Sequence, residues 1–410
     1  MTFKLKPADS AYVWVWLPNQ TQPVVAGRIV KQGTLHYFTY GRQYRERVGA
    51  LAFSPFELPL RTGTFQPEGL NTIHSCLRDA APDAWGRRVL AYQYANFTLD
   101  ELDYLLLSGS DRIGALDFQL SSTEYQARQP QSVVLRDLLA AAEMIELGTK
   151  LPPDLEIALR HGTSVGGARP KALICDAQHS YIAKFSTSAD HYDIVKAEYV
   201  AMQLAKRIGL DVANTQLVSV MGKDVLLVER FDRIHSASGI YRRHLLSGLS
   251  LLGLNEMEAR YASYIDLADL IRQRFKNPST TLHELFNRLV FNILIGNTDD
   301  HARNHAAFWD GQHLTLTPAY DLCPQLRSGN EATQAMQISG SQGNFSTLQN
   351  ALSICHAFQL PTEQAKQMIE RQVDIIAASW LETCKTANMR PLERERLWQR
   401  AVFNPFCFGR

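Results

Sequence analysis

Paired cysteines are missing from this chain. Its six cysteines, Cys76, Cys175, Cys323, Cys355, Cys384 and Cys407, are scattered, and none falls in a C-x-x-C pair. That excludes a zinc knuckle and a disulfide framework and suits a reducing compartment. Also absent is an uninterrupted apolar run of about 18 residues, the length a membrane-crossing helix needs. Met1 leads into TFKLKPADS rather than the apolar core of a signal peptide, so a cytoplasmic protein is expected. Nor does charge of one sign dominate: 42 Lys and Arg face 41 Asp and Glu, for a net charge of +1. A surface built wholly for polyanions is excluded, which leaves nucleic acid only a local patch. The Walker A pattern, internal repeats and low-complexity tracts are absent as well.

What is present is an ordinary globular composition, 410 residues with 45% apolar content, enough for two or three structural units. The first 60 residues alternate in short runs, AYVWVWL, PVVAGRIV and LHYFTYG, which predict an antiparallel sheet. ALAFSPFELPLR carries two prolines and is expected to be irregular. Helices follow over LRDAAPDAWGRRVLAYQYA and TLDELDYLLL, the second with a capping box predicted from Thr98 and Glu101. The polar SSTEYQARQPQS reads as a linker or boundary, and VVLRDLLAAAEMIELG as an amphipathic helix. From Thr163 the order is strand, Gly-rich turn, strands, a helix closed by Gly209, and two further strands. After Asp232 the chain is mainly helical, interrupted by one hairpin. The expected class is α+β, with boundaries at 1–125 for an N-terminal α+β subdomain, 126–232 for a small β-rich lobe and 233–410 for a helical large lobe.

Chemistry concentrates in NILIGNTDDHARNHAAFWDGQHLTLTPAYDL, residues 292–322. An apolar helix ends at Gly296 and a polar loop follows directly. Asp299 and Asn304 stand in a D-x-x-x-x-N spacing, with Asp321 beyond a hairpin whose outer ends return to one neighbourhood. That is the order of a phosphoryl-transfer loop: a base for the incoming hydroxyl and two oxygen ligands for magnesium on nucleotide phosphates. Asp300, one residue out of register, is expected to support the loop. The bland reading is a solvated Asn/Asp turn; agreement of three positions and a hairpin favours the functional one. Upstream, Thr163, Ser164, Val165, Gly166, Gly167 and Ala168 are small enough for backbone N–H groups to approach phosphate, although a lone Gly-Gly is more often a plain turn. Lys171 is either a phosphate contact or a solvated strand lysine. Lys184 in YIAKF takes the position of a kinase lysine with Glu198 as its ion-pair partner, and Glu229 and Phe231 in LLVERFDR the position of an adenine-contacting hinge. Core packing is the alternative for Phe231.

These motifs together, with LPLR, RDAAPDAWGRRVL, TSVGGARPK, LLVERFDR, GNTDDHARNH and PAYDL, resemble the HipA family of bacterial serine/threonine kinases, toxins of type II toxin–antitoxin pairs, over nearly the whole chain. The resemblance implies a protein-kinase-like two-lobed fold with an extra N-terminal subdomain, and ATP and Mg2+ as cofactors. It implies Asp299 as catalytic base, Asn304 and Asp321 as metal ligands, and Lys184 as the ATP phosphate contact; Ser164, Val165, Gly166, Gly167, Lys171, Glu229 and Phe231 are the further ATP contacts expected from the loop, strand and hinge positions above. Ser164 falls at the family's inhibitory autophosphorylation position, where phosphate charge would oppose ATP. Arg169 departs from the Gln expected there. Implied partners are a HipB-like helix-turn-helix antitoxin, operator DNA mainly through that antitoxin, and a protein substrate such as an aminoacyl-tRNA synthetase. Two other readings stay open: a metal-dependent phosphohydrolase built on Asp299, Asp300, His301 and His305, and a non-catalytic antitoxin-binding co-regulator.

Overall fold

The computed structural model describes residues 8–95, 97–128, 140, 144, 169–186, 190–220, 222–327, 329 and 331–409. The amphipathic helix expected after residue 132 and the Gly-rich turn with Thr163, Ser164, Val165, Gly166, Gly167 and Ala168 lie outside these residues. The chain divides into two compact units, one of residues 1–188, 232–246 and 309–312, the other of 189–231, 247–308 and 313–410.

In the first unit the alternating runs form an antiparallel sheet, as expected. Strands β1 (Ser10–Val15), β2 (Val24–Gln32), β3 (Leu35–Tyr40), β4 (Thr64–Phe65) and β5 (Leu116–Gln119) stand in the order β4-β3-β2-β1-β5. The inward positions Val13, Ile29, Phe38 and Phe118 are fully buried. Phe38 meets Tyr40 edge-on at 4.7 Å and Phe53 at 5.3 Å. The Tyr40 hydroxyl donates to the Leu58 carbonyl and accepts from the Phe53 N–H, both at 2.8 Å, so the proline-broken segment is held without regular structure. Helices α1 (Ala84–Gln93) and α2 (Glu101–Leu107) follow. The α2 cap differs from expectation: Asp100, not Thr98, is the N-cap, and Asp103 rather than Glu101 closes the box, each side chain accepting the other's backbone N–H. A carboxylate placed against the first turn gains from the helix dipole as well as the hydrogen bond.

Beyond β5 the polar stretch is held on the sheet. Asp117 is fully buried and accepts from Arg112, Arg128, Gln119 and Tyr125 at 2.8–3.0 Å, and the Tyr125 ring lies 5.4 Å from both Trp14 and Trp16. Burial raises the Asp117 carboxyl, but the two guanidiniums beside it more than offset this and hold it below the usual carboxylate range. Strands β6 (Lys171–Cys175) and β7 (Ser180–Phe185) pair as an antiparallel hairpin.

The second unit packs helices around α5 (Pro278–Ile295), whose last eight residues are all buried. Helix α3 (Ile194–Ile208) begins at an Asp193 N-cap and ends, as expected, at a left-handed Gly209 with φ +97. Strands β8 (Thr215–Val220) and β9 (Lys223–Glu229) form an antiparallel hairpin. Helix α4 (Tyr264–Arg274) and the 25-residue α6 (Thr362–Thr386) complete the frame. The predicted hairpin is present as β10 (Ala306–Trp309) and β11 (Leu314–Leu316). Among the described residues no helix is long and apolar enough to cross a membrane.

Candidate active site

The site grows out of the end of α5. Gly296 stops that helix at φ +68, and a Cβ there would lie 2.5 Å from the Ala401 carbonyl oxygen; only glycine combines that conformation with that approach. The loop leaves at once into the polar run. Asn297 is buried and donates from Nδ2 to Oδ1 of Asn292 at 3.0 Å, and the Gly296 carbonyl accepts from the Gln325 N–H at 3.0 Å. The two ends of the expected site are thus tied by backbone.

Asp299 and Asp300 are adjacent and differ in surroundings. Asp300 is 1% exposed; it accepts from the Tyr264 hydroxyl and is bonded to His305 Nε2 at 3.1 Å. Burial pushes the Asp300 carboxyl up, but the His305 ring and the hydroxyl outweigh it, so the group lies below the usual range. It supports the loop, as its register suggested. Asp299 is raised above the usual range, by burial first and then by the negative charges of Asp321 and Asp300, with His301 opposing. The structure therefore brings Asp299 and Asp321 within electrostatic reach.

Asn304 joins them. Its side-chain N–H donates to the Asp299 carbonyl at 3.1 Å, which turns the amide oxygen into the group able to meet a cation. On the returning arm the Thr317 N–H donates to the Ala306 carbonyl at 3.0 Å, and the Tyr320 hydroxyl to the Arg303 carbonyl at 2.6 Å. Asp321 has a left-handed φ of +59, a conformation Asp adopts more readily than most residues but still at a cost, and one that clusters at functional sites. An amide oxygen and a carboxylate suit a hard divalent cation that takes its remaining ligands from phosphate and water. The mutual charge penalty between Asp299 and Asp321 is what such a cation would relieve. The phosphohydrolase set fares worse, since Asp300 and His305 are spent on each other. Among the described residues no three His, Cys, Asp or Glu side chains are grouped to hold a metal.

The other sequence candidates are placed as follows. Glu229 and Phe231 line a surface cavity of about 350 Å³ together with Asn214 and Pro318. Glu229 accepts from the Asn214 side chain at 3.0 Å, and the Phe231 ring packs 5.7 Å from Phe308 and 5.6 Å from Tyr320. Glu198 lies buried on α3. Lys184 and Lys171 are cross-strand partners in β6 and β7. Lys171 is 7% exposed with its ammonium 3.7 Å from Asp83, so it is not the solvated strand lysine that was one reading of it. Sequence reasoning missed Tyr264 and Tyr320, the two hydroxyls that fix the loop; Tyr320, directly before Asp321, could have been noticed, whereas Tyr264 carries no spacing signal.

Comparison with known proteins bears on the family and the fold. The HipA-like C-terminal domain model matches residues 163–380 and the HipA N-terminal domain model residues 15–119. A putative kinase, Y4mE, of Sinorhizobium fredii is 36% identical over 131 residues, 30% of this chain and 31% of that protein. The serine/threonine-protein kinase toxin HipA of Shewanella oneidensis is 28% identical over 183 residues, 39% of this chain and 42% of that protein. The chain thus spans about a third to two-fifths of the length of these curated relatives. Among solved structures, the Shewanella oneidensis HipA in complex with HipB and operator DNA superposes with a TM-score of 0.69 at 20% identity, over 92% of this chain and 94% of that one. At that identity the likeness speaks for the fold, which is the kinase-like α+β fold expected. With a C-terminal family model matched over more than half of its length, the chain belongs to the HipA family.

Proposed function

We propose that the protein is an ATP- and Mg2+-dependent serine/threonine protein kinase of HipA type, the toxin of a toxin–antitoxin pair. What supports this reading is the loop itself: the Asn304 side chain donates to the Asp299 carbonyl, Asp321 is near enough to raise the Asp299 carboxyl, and the adjacent Asp300 is anchored by Tyr264 and His305. Asp299 orients the substrate hydroxyl and accepts its proton, and its raised carboxyl is a better proton acceptor than an ordinary aspartate. Asn304 and Asp321 are the residues that would hold magnesium, which when bound offsets the phosphate charge. Lys184 is assigned to the nucleotide phosphates, with Glu198 as the residue expected to orient it, joined by Lys171 and the backbone of Ser164, Val165, Gly166 and Gly167; the backbone of Glu229 and Phe231 is assigned to adenine. Catalysis is then mainly positioning and electrostatics.

Ser164 is the proposed autophosphorylation site and off switch. A HipB-like antitoxin, operator DNA reached through it, and a translation component such as an aminoacyl-tRNA synthetase are the proposed partners. The test is incubation with ATP labelled in its γ-phosphate and Mg2+, with phosphoproteomics after brief expression of wild type against Asp299→Ala. Label on Ser164 and on a distinct protein in wild type alone supports the reading. Folded wild-type protein that neither binds ATP nor transfers phosphate overturns it.

A further inference from the structure

The α3 helix, which carries Glu198, is held from the side by one buried lysine that the mechanism above does not use. Lys196 is 9% exposed. Its ammonium lies 3.0 Å from the Asp224 carboxylate on β9, 3.5 Å from the Asp193 carboxylate at the α3 N-cap, and 3.1 Å from the Asn388 carbonyl just past the end of α6. An ammonium has three N–H donors, and here each has an acceptor from a different segment. Asn388 stands at φ +49, where the chain reverses after α6 and turns its carbonyl to the lysine. The same C-terminal region grips α3 twice more: Glu382 takes a bidentate pair from Arg207 in the last turn at 3.1 and 3.2 Å, and Arg396 donates to the His191 carbonyl ahead of the first turn at 2.8 Å.

Residues 196 and 198 are about 200° apart around a helix of 3.6 residues per turn, so the two side chains leave α3 on opposite sides. Tying Lys196 to β9 and to the chain just past α6 therefore adds a polar fixed point to the apolar packing that holds the rotation of α3, and with it the direction of Glu198. The two arginine contacts hold the helix near its ends, whereas Lys196 is two residues from Glu198. Without its charge, Asp193 and Asp224 would face each other, with Glu393 adding to the repulsion on Asp193.

We propose that Lys196 is a positioning residue, acting through Glu198 to set α3 for phosphate transfer. This rests on the kinase reading, in which Glu198 orients the ATP-contacting lysine, and it extends that reading to a residue outside the nucleotide site. The expected signature of Lys196→Met is a fall in kcat of about 10–100-fold, the scale of a small displacement of catalytic groups, with the KM for ATP changed by less than about threefold because the lost contact lies away from the nucleotide.

The experiment is a double-mutant cycle on the full chain, with Lys196→Met, Glu198→Gln and both together, assayed by single-turnover autophosphorylation at varied ATP, whose limiting rate and half-saturating ATP concentration stand for kcat and KM. Lys196→Arg serves as the charge-conserving rescue, and Asp224→Asn removes one partner of the hub should Lys196→Met fold poorly. If Lys196 acts through Glu198, Lys196→Met adds less than about threefold to the loss already caused by Glu198→Gln. Lys196→Arg then recovers most of the rate, and Asp224→Asn lowers kcat in the same direction. Equal losses from Lys196→Met in both backgrounds, or unchanged kcat in folded Lys196→Met and Asp224→Asn, overturn the proposal while leaving the kinase reading intact. An inactive, folded wild type overturns both.

Discussion

Neighbouring aspartates in one loop have different surroundings, and under the kinase reading different duties that substitution separates. Asp299→Asn is expected to lower phosphate transfer by about 10²–10⁴-fold, the range for losing a general base, with thermal stability little changed, as a melt of the purified variant will show. Asp300→Asn is expected to destabilise by about 1–3 kcal/mol, because Tyr264 and His305 lose their charged partner inside the protein; its melt should shift well before its KM does. The sequence made the first aspartate legible, since a spacing to Asn304 and a later Asp321 can be counted. It also hinted at the second by exclusion. Tyr264, 36 residues earlier, could not be read, because a hydroxyl that reaches a buried carboxylate leaves no periodic trace. Lys196 escaped for the same reason, with partners at Asp224 and Asn388, whereas Arg112 and Asp117 are near neighbours whose burial, not their spacing, makes them matter.

At the scale of elements, the end of α5 decides how well the loop is made. Gly296→Ala forces a side chain into a left-handed turn and against the Ala401 carbonyl. A cost of about 1–3 kcal/mol is expected from the backbone alone, together with a loss of transfer activity out of proportion to the change in melting temperature, measurable on one preparation. This boundary was legible because glycine ending an apolar helical run is a strong signal. The α2 start was misread by two residues because Thr98, Asp100 and Glu101 all offer capping oxygens, and only the final path of the chain decides which one faces the first turn. The hairpin of β10 and β11 was placed correctly by its alternation around Asp310 and Gly311. The β8–β9 hairpin was read equally well, but nothing in its sequence foretold that Asp224 would reach the side of α3.

For the molecule as a whole, acid should act first on the unit that carries the N-terminal sheet. His74 is buried there, and burial lowers its imidazole from the ordinary 6.5 to about 4. The folded state therefore resists a proton that the unfolded chain accepts, so stability is complete above pH 6.5 and falls between there and about pH 4, by roughly 3 kcal/mol. Asp117, held below the usual carboxylate range, extends the same trend: its contribution is present above the ordinary value of 3.8 and is lost as pH falls through its lower folded value. Urea melts from pH 7 to about pH 2 should show both losses, His74→Leu should flatten the part above about pH 4, and hydrogen exchange near pH 4.5 should open residues 10–119 ahead of 278–309.

One further consequence concerns the order in which a ribosome delivers the parts. The cover of Gly296 comes from Ala401, and the Phe403 N–H donates to the Leu294 carbonyl at 2.8 Å, so the loop that carries Asp299 is made about a hundred residues before its lid. A nascent chain, or one ended by a stop codon ahead of Leu397, holds every proposed catalytic residue and yet lacks the surface against which their loop is set. Truncation ahead of Leu397 is therefore expected to lower phosphate transfer from a chain that still holds Asp299, Asn304 and Asp321, as an assay of the shortened protein against the full chain will show.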